Sequence, residues 1–150
     1  MTLEKYMAIA GLVLSIFFVA EILTLFNFMT NPADSDSFGF EAAPKLYQFI
    51  SLSIAPATIM MGVSFHLSKR YGSKLNGILI ILSGIIVLFG MAFAYTMIDN
   101  LKPTLVDSFV EILPIIFMGV SIPIIIFGTR LLKTRPRKPK KNYLEDGDSF

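Results

Sequence analysis

The chain of 150 residues has no cysteine and no tryptophan, and only one histidine, His66. Without cysteine there is no disulfide, no zinc–thiolate site, no iron–sulfur cluster and no thiol nucleophile. One histidine excludes a multi-histidine metal site or a bis-histidine haem built from this chain alone. Charge is also scarce. Charged residues make up 16% of the chain, where a soluble domain carries about a quarter. Hydrophobic residues reach 54% and mean hydropathy is +0.68. That balance argues against an ordinary soluble enzyme, and equally against a disordered chain.

What is present is long apolar runs. No charged residue occurs in 46–68, in 75–98 or in 112–129, and Glu21 is the one charge within 6–29. A helix needs roughly 20 apolar residues to cross the hydrocarbon core. No two-residue alternation points to a membrane barrel. The sequence therefore predicts an all-α membrane protein with spans at about 6–28, 46–68, 75–98 and 108–131. A four-helix transmembrane domain would occupy 1–132, and a polar tail 133–150. The first span is read as a retained helix, since its apolar stretch is longer than a signal peptide's and only Lys5 precedes it.

Lys and Arg set the expected orientation. Lys5, Lys69, Arg70 and Lys74 fall on one side, with Arg130, Lys133, Arg135, Arg137, Lys138, Lys140 and Lys141. The other side has only Lys45 and Lys102. The positive-inside rule then puts both termini in the cytoplasm of a cell membrane. Tyr6, Tyr47, Tyr71 and Tyr95 fall near span ends, where amphipathic rings prefer to sit. Short connections around Gly72 and Pro103 imply an up-down-up-down bundle. The longer outer connection, 29–45, has turn signals at Asn31-Pro32 and 34–37. The tail is basic, then acidic over 145–148. Its basic part and the last turn of span four, from Arg130 to Lys141, are expected to contact anionic lipid headgroups; nucleic acid is not an expected partner.

Glu21 is the strongest single clue, because an acid inside a span is costly and marks function by default. Thr24 stands one turn away as a hydrogen-bond donor to it. One reading is a proton or ion site; the other is a hydrogen-bonded acid that fixes packing. In span two, Gln48, Ser51, Ala55, Thr58, Gly62 and His66 fall on one helical face. Small and hydroxylated residues are what membrane helices use to pack, so this stripe is the expected helix interface. Pro56 beside it should loosen the backbone bonds. In span three, Ser83, Gly90 and Ala94 form one small face and Gly77 and Gly84 another, room for two close neighbours. Pro114 and Pro123 predict bends in span four. Asp99, Asp107 and Glu111 form an outer acidic cluster; they read either as a cation site or, for Ser108 and Glu111, as a capping box. The scattered methionines read as core filling.

No phosphate loop, metalloprotease motif or Ser–His–Asp set is present, so no catalysis and no cofactor are expected of this chain alone. The run Ala20-Glu21-Ile22-Leu23-Thr24, in a chain of four spans, resembles the first span of the small multidrug resistance transporters. That resemblance implies proton exchange for cationic drugs at Glu21 in a two-copy assembly. It covers five residues and the span count. The missing tryptophan, the longer outer loop and the shallower acid depart from that family. Two functions follow as expectations. The first is a non-catalytic accessory, structural or assembly subunit of a larger membrane complex, such as a respiratory, oxidase or monooxygenase assembly. The second is a small oligomeric proton- or ion-coupled transporter using Glu21. The expected partners are the lipid bilayer and either other transmembrane subunits or further copies of the chain.

Overall fold

The computed structural model describes residues 3–31, 41–71, 73–101, 103 and 105–133. Among them every regular element is helical. Helix α1 spans Leu3–Thr30, α2 Ala42–Phe49, α3 Ala55–Tyr71, α4 Lys74–Met97 and α5 Ser108–Lys133. A π-helical segment, Ile50–Ile54, joins α2 to α3, and a 3₁₀ turn, Ile98–Asn100, ends α4. Four continuous helical stretches are long and apolar enough to cross a membrane: Leu3–Thr30, Ala42–Arg70, Lys74–Asn100 and Ser108–Lys133. The sequence reading of four spans thus holds, with each helix a few residues longer than its apolar run. The turn around Gly72, the signals at Pro32 and 34–37, and the tail beyond Lys133 lie outside the described residues.

The exposure pattern is inside-out relative to a soluble protein. Leu52, Ile59, Phe89 and Phe93 are exposed by more than half, while Ser15, Ser53, Ser64, Ser68, Asn76, Ser83 and Ser121 are buried. Lipid gives no hydrophobic drive between helices, so small hydroxylated residues pack inward and bulky apolar ones face the acyl chains. Nearly all of these buried groups are hydrogen-bonded, as burial demands. Ser83 Oγ donates to Ser15 Oγ at 2.6 Å, and Ser15 Oγ donates to the Gly11 carbonyl at 2.8 Å. Ser64 Oγ donates to the Glu4 carbonyl at 2.8 Å, and Asn76 Nδ2 donates to Ser68 Oγ at 2.6 Å. Asn76 Oδ1 is the exception, buried with no partner among the described residues.

Helix α1 packs on both α3 and α4, and α4 packs most extensively on α5. The two small faces of span three meet these two neighbours. Ser83 and Gly90 face Ser15 and Val19 of α1, while Gly77 and Gly84 face Gly128 and Ile125 of α5. Between α3 and α5 the fit is looser. Tyr47 of α2 stacks on Phe109 at 4.7 Å, and Phe65 of α3 meets Phe127 at a tilt with centroids 5.1 Å apart. A small apolar groove of about 230 Å³ remains beside Thr58, Gly62 and Pro123.

Two proline expectations resolve differently. Pro56 has no N–H and its ring crowds the carbonyl four residues back. The turn before it widens, and the Ala55 N–H reaches back to the Ile50 carbonyl, five residues away. The loosening expected at Pro56 is therefore a π turn. Pro114 and Pro123, by contrast, lie within an unbroken α5.

Candidate functional site

Glu21 occupies the α1 face turned toward the π segment and is half-buried. Its Oε2 accepts a hydrogen bond of 2.7 Å from Ser53 Oγ. Ser53 sits inside the π turn and is buried. A π turn inside a helix often marks a functional site, because the extra residue re-aims side chains. Thr24 does not donate to Glu21 as the sequence reading expects. Its Oγ1 donates to the Ala20 carbonyl of its own helix at 2.7 Å. A hydroxyl four residues beyond a carbonyl on the same helix always has that acceptor in reach, so Ser53 from across the interface serves Glu21 instead. Sequence reasoning passed over Ser53. The signal was there in the run Ser53, Ala57, Met61, Ser64 and Ser68, a second small stripe with helical spacing.

A groove of about 720 Å³ opens beside this pair, lined by Phe17, Ala20, Glu21, Thr24, Leu25, Phe28, Lys45, Gln48 and Phe49. It brings an acid, a base and an amide together among aromatic and aliphatic walls, the composition of a ligand pocket. Among the described residues no ion pair neutralises Glu21 with Lys45.

The expected interface stripe of span two is only partly covered within the chain: Gln48 lines the groove beside α1, and Thr58 and Gly62 line the apolar groove beside α5. Gln48, Ser51, Gly62 and His66 are exposed, and Ala55 and Thr58 are half-buried. Ser51 and Thr58 donate to their own helix, to the Gln48 and Ala55 carbonyls. A Cβ added at Gly62 would meet nothing within 4 Å. The face that meets α1 is the other small stripe, where Ser64 bonds the Glu4 carbonyl and Met61 lies against Gly11. Both stripes are small and hydroxylated; the one facing Glu21 and the α1 backbone is buried because those partners need its donors.

The outer acids are divided. Asp99 and Glu111 line a cleft of about 540 Å³ with Tyr95 and Thr96, whereas Asp107 lines one of about 460 Å³ with Glu41 and Pro44. Among the described residues no three His, Asp or Glu side chains come together to hold a metal. The expected capping box of Ser108 and Glu111 does not form among the described residues. Ser108 is already helical, and Asp107 caps α5: its carbonyl accepts from the Val110 and Glu111 N–H groups and its carboxylate from the Ser108 N–H at 3.1 Å. An acid also suits a helix N-terminus electrostatically. Asp107→Ala is expected to cost about 1 kcal/mol, read as faster amide exchange at 108–111 with the remaining spans unchanged. Arg130 and Lys133 lie in the last turn of α5. Arg135, Arg137, Lys138, Lys140 and Lys141 lie outside the described residues.

The fold and its polar interior define the class, a helical protein with four helices able to span a membrane. Comparison with protein-family models, with curated proteins and with solved structures finds no match for the chain.

Proposed function

We propose that the chain is a non-catalytic accessory, structural or assembly subunit of a larger membrane complex, for example a respiratory, oxidase or monooxygenase assembly. The observation that carries this reading is the outward polar stripe of the second span. Gln48, Ser51, Gly62 and His66 are exposed on a helix of membrane-spanning length. Polar side chains facing lipid are expensive, and a transmembrane helix of a partner laid on this face would supply donors, acceptors and close packing at Gly62. A partner would also supply whatever redox or metal ligands the complex needs, since this chain has no cysteine and one histidine.

The proposal includes an up-down-up-down bundle in the cell membrane with both termini cytoplasmic. It is supported by the Lys and Arg distribution, and by contacts that pair Glu4 with Ser64 and Glu21 with Ser53. In this orientation the basic residues from Arg130 onward lie against anionic headgroups. The test is purification in mild detergent with mass spectrometry of what accompanies the chain. Larger membrane proteins at fixed stoichiometry are the expected result, and Gly62→Leu should remove most of them while helicity stays unchanged. Migration as a lone small oligomer overturns the reading.

A second reading, a small oligomeric proton- or ion-coupled transporter, is favoured by one observation, the Glu21–Ser53 bond at the wall of an open groove. It requires Glu21→Gln to abolish proton-coupled flux in vesicles while folding is retained. Flux at the wild-type level in that variant ends it.

A further inference from the structure

The groove between α1 and α2 is ordered by depth. From Phe17 to Phe28 its α1 wall runs about 16 Å at helical rise, about the hydrocarbon depth of one leaflet. Its Phe17 and Ala20 end is apolar. Glu21 comes next, level with Ser53 through their hydrogen bond. Lys45 lies about two turns from Ser53 toward the start of α2, at the other end of the groove. Acceptor and cation thus stand about two turns apart in one groove, with apolar side chains at Phe17 and Ala20 below them and at Leu25, Phe28 and Phe49 between them.

Each polar group has capacity to spare. Ser53 satisfies one position on Glu21 Oε2, and a carboxyl group offers several more acceptor sites. Thr24 is committed to the Ala20 carbonyl and cannot fill them. Gln48 and Lys45 are exposed on the groove wall. A cationic ligand is disfavoured at Glu21, since Lys45 shares the channel and repels it. A neutral donor attached below an anionic group satisfies both ends.

We propose that this groove binds a lysophospholipid. Its single acyl chain lies along Phe17 and Ala20. Its free glycerol hydroxyl donates to the Glu21 carboxyl, and its phosphate meets the Lys45 ammonium. Gln48, between the two, donates to a phosphate or ester oxygen. A diacyl phosphatidylcholine carries an ester where this hydroxyl stands, so it has no donor for Glu21. The proposal shares Gln48 with the stripe assigned to a partner helix and Glu21 with the transporter reading, and its test reads lipid retention, which neither reading predicts.

The test uses the full chain in phosphatidylcholine nanodiscs doped with equal trace amounts of lysophosphatidylcholine and its 2-O-methyl ether. These two share head and tail and differ only in the donor. Native mass spectrometry after release counts the lipid retained on the protein. The hydroxyl form is expected in about fivefold excess, the change that one added hydrogen bond produces. Glu21→Leu, which removes the acceptor, should bring the ratio toward one. Lys45→Ala should lower retention of both lipids and leave their ratio intact. Equal retention of the two lipids on the wild-type chain overturns the proposal, and needs no variant to fold. A ratio unchanged in Glu21→Leu, or retention unchanged in Lys45→Ala, overturns it as well.

Discussion

Gly128→Ala is expected to destabilise the bundle by about 3 kcal/mol, the upper end of what overpacking costs. A Cβ at this position would stand 2.5 Å from Ile81 Cγ1, 2.9 Å from the Gly77 carbonyl oxygen and 2.9 Å from the Ile81 nitrogen. Ile81 could turn its side chain aside. The two backbone atoms cannot move without parting α4 from α5, the most extensive helix pair in the chain. Because Gly77 packs against the Gly128 carbonyl in return, the loss spreads to both sides of the contact. Gly119→Ala on the same helix is the control. Nothing lies within 4 Å of its added Cβ, so its stability should stay within about 0.5 kcal/mol of wild type. Denaturant titration in mixed micelles, followed by helicity, separates the two. Equal midpoints for Gly128→Ala and wild type would show that α4 and α5 do not approach this closely.

Phe18→Ala should cost about 2 kcal/mol. Phe18 is completely buried and its ring meets Phe117 of α5 edge-on, with centroids 4.8 Å apart. Truncating such a ring in a soluble core costs about 3–5 kcal/mol. Much of that figure is transfer of apolar surface out of water, which hardly applies between helices already in lipid. What is left is lost dispersion and the cavity between α1 and α5. Phe89→Ala removes the same ring from a side chain that is 70% exposed on the outside of the bundle and should change little. A loss at Phe89 as large as at Phe18 would contradict this division of faces.

The spans and their number were legible because they depend on an average, the apolar content of about 20 successive residues. The two small faces of α4 were legible for a similar reason: Ser83 with Gly90, and Gly77 with Gly84, recur at helical spacing with no competing pattern. Span two was ambiguous. Two stripes, one through Ser51, Thr58 and Gly62 and the other through Ser53, Ala57 and Ser64, have the same residue types and spacing. Only the position of α1 distinguishes them, through Glu4, Gly11 and Glu21.

The same limit applies to the acids. Glu21 stood out as the single charge well inside a span, yet its donor came from 32 residues away rather than from Thr24 one turn along. Asp99, Asp107 and Glu111 looked like one cluster because they are near in sequence, and the 3₁₀ turn with the start of α5 distributes them over two clefts.

By itself, the sequence determined four long apolar runs, charged only at Glu21, that are long enough to cross a membrane as helices closing their own backbone hydrogen bonds. It also determined what the chain cannot bring, thiols and paired histidines. Tertiary structure decided which polar groups meet. A hydroxyl's partner depends on the height and rotation of a neighbouring helix, and those are set by close approach at Gly11, Gly84 and Gly128. That is why the Glu21–Ser53 pair, the groove beside it and the outward stripe of span two emerge only once the helices are packed.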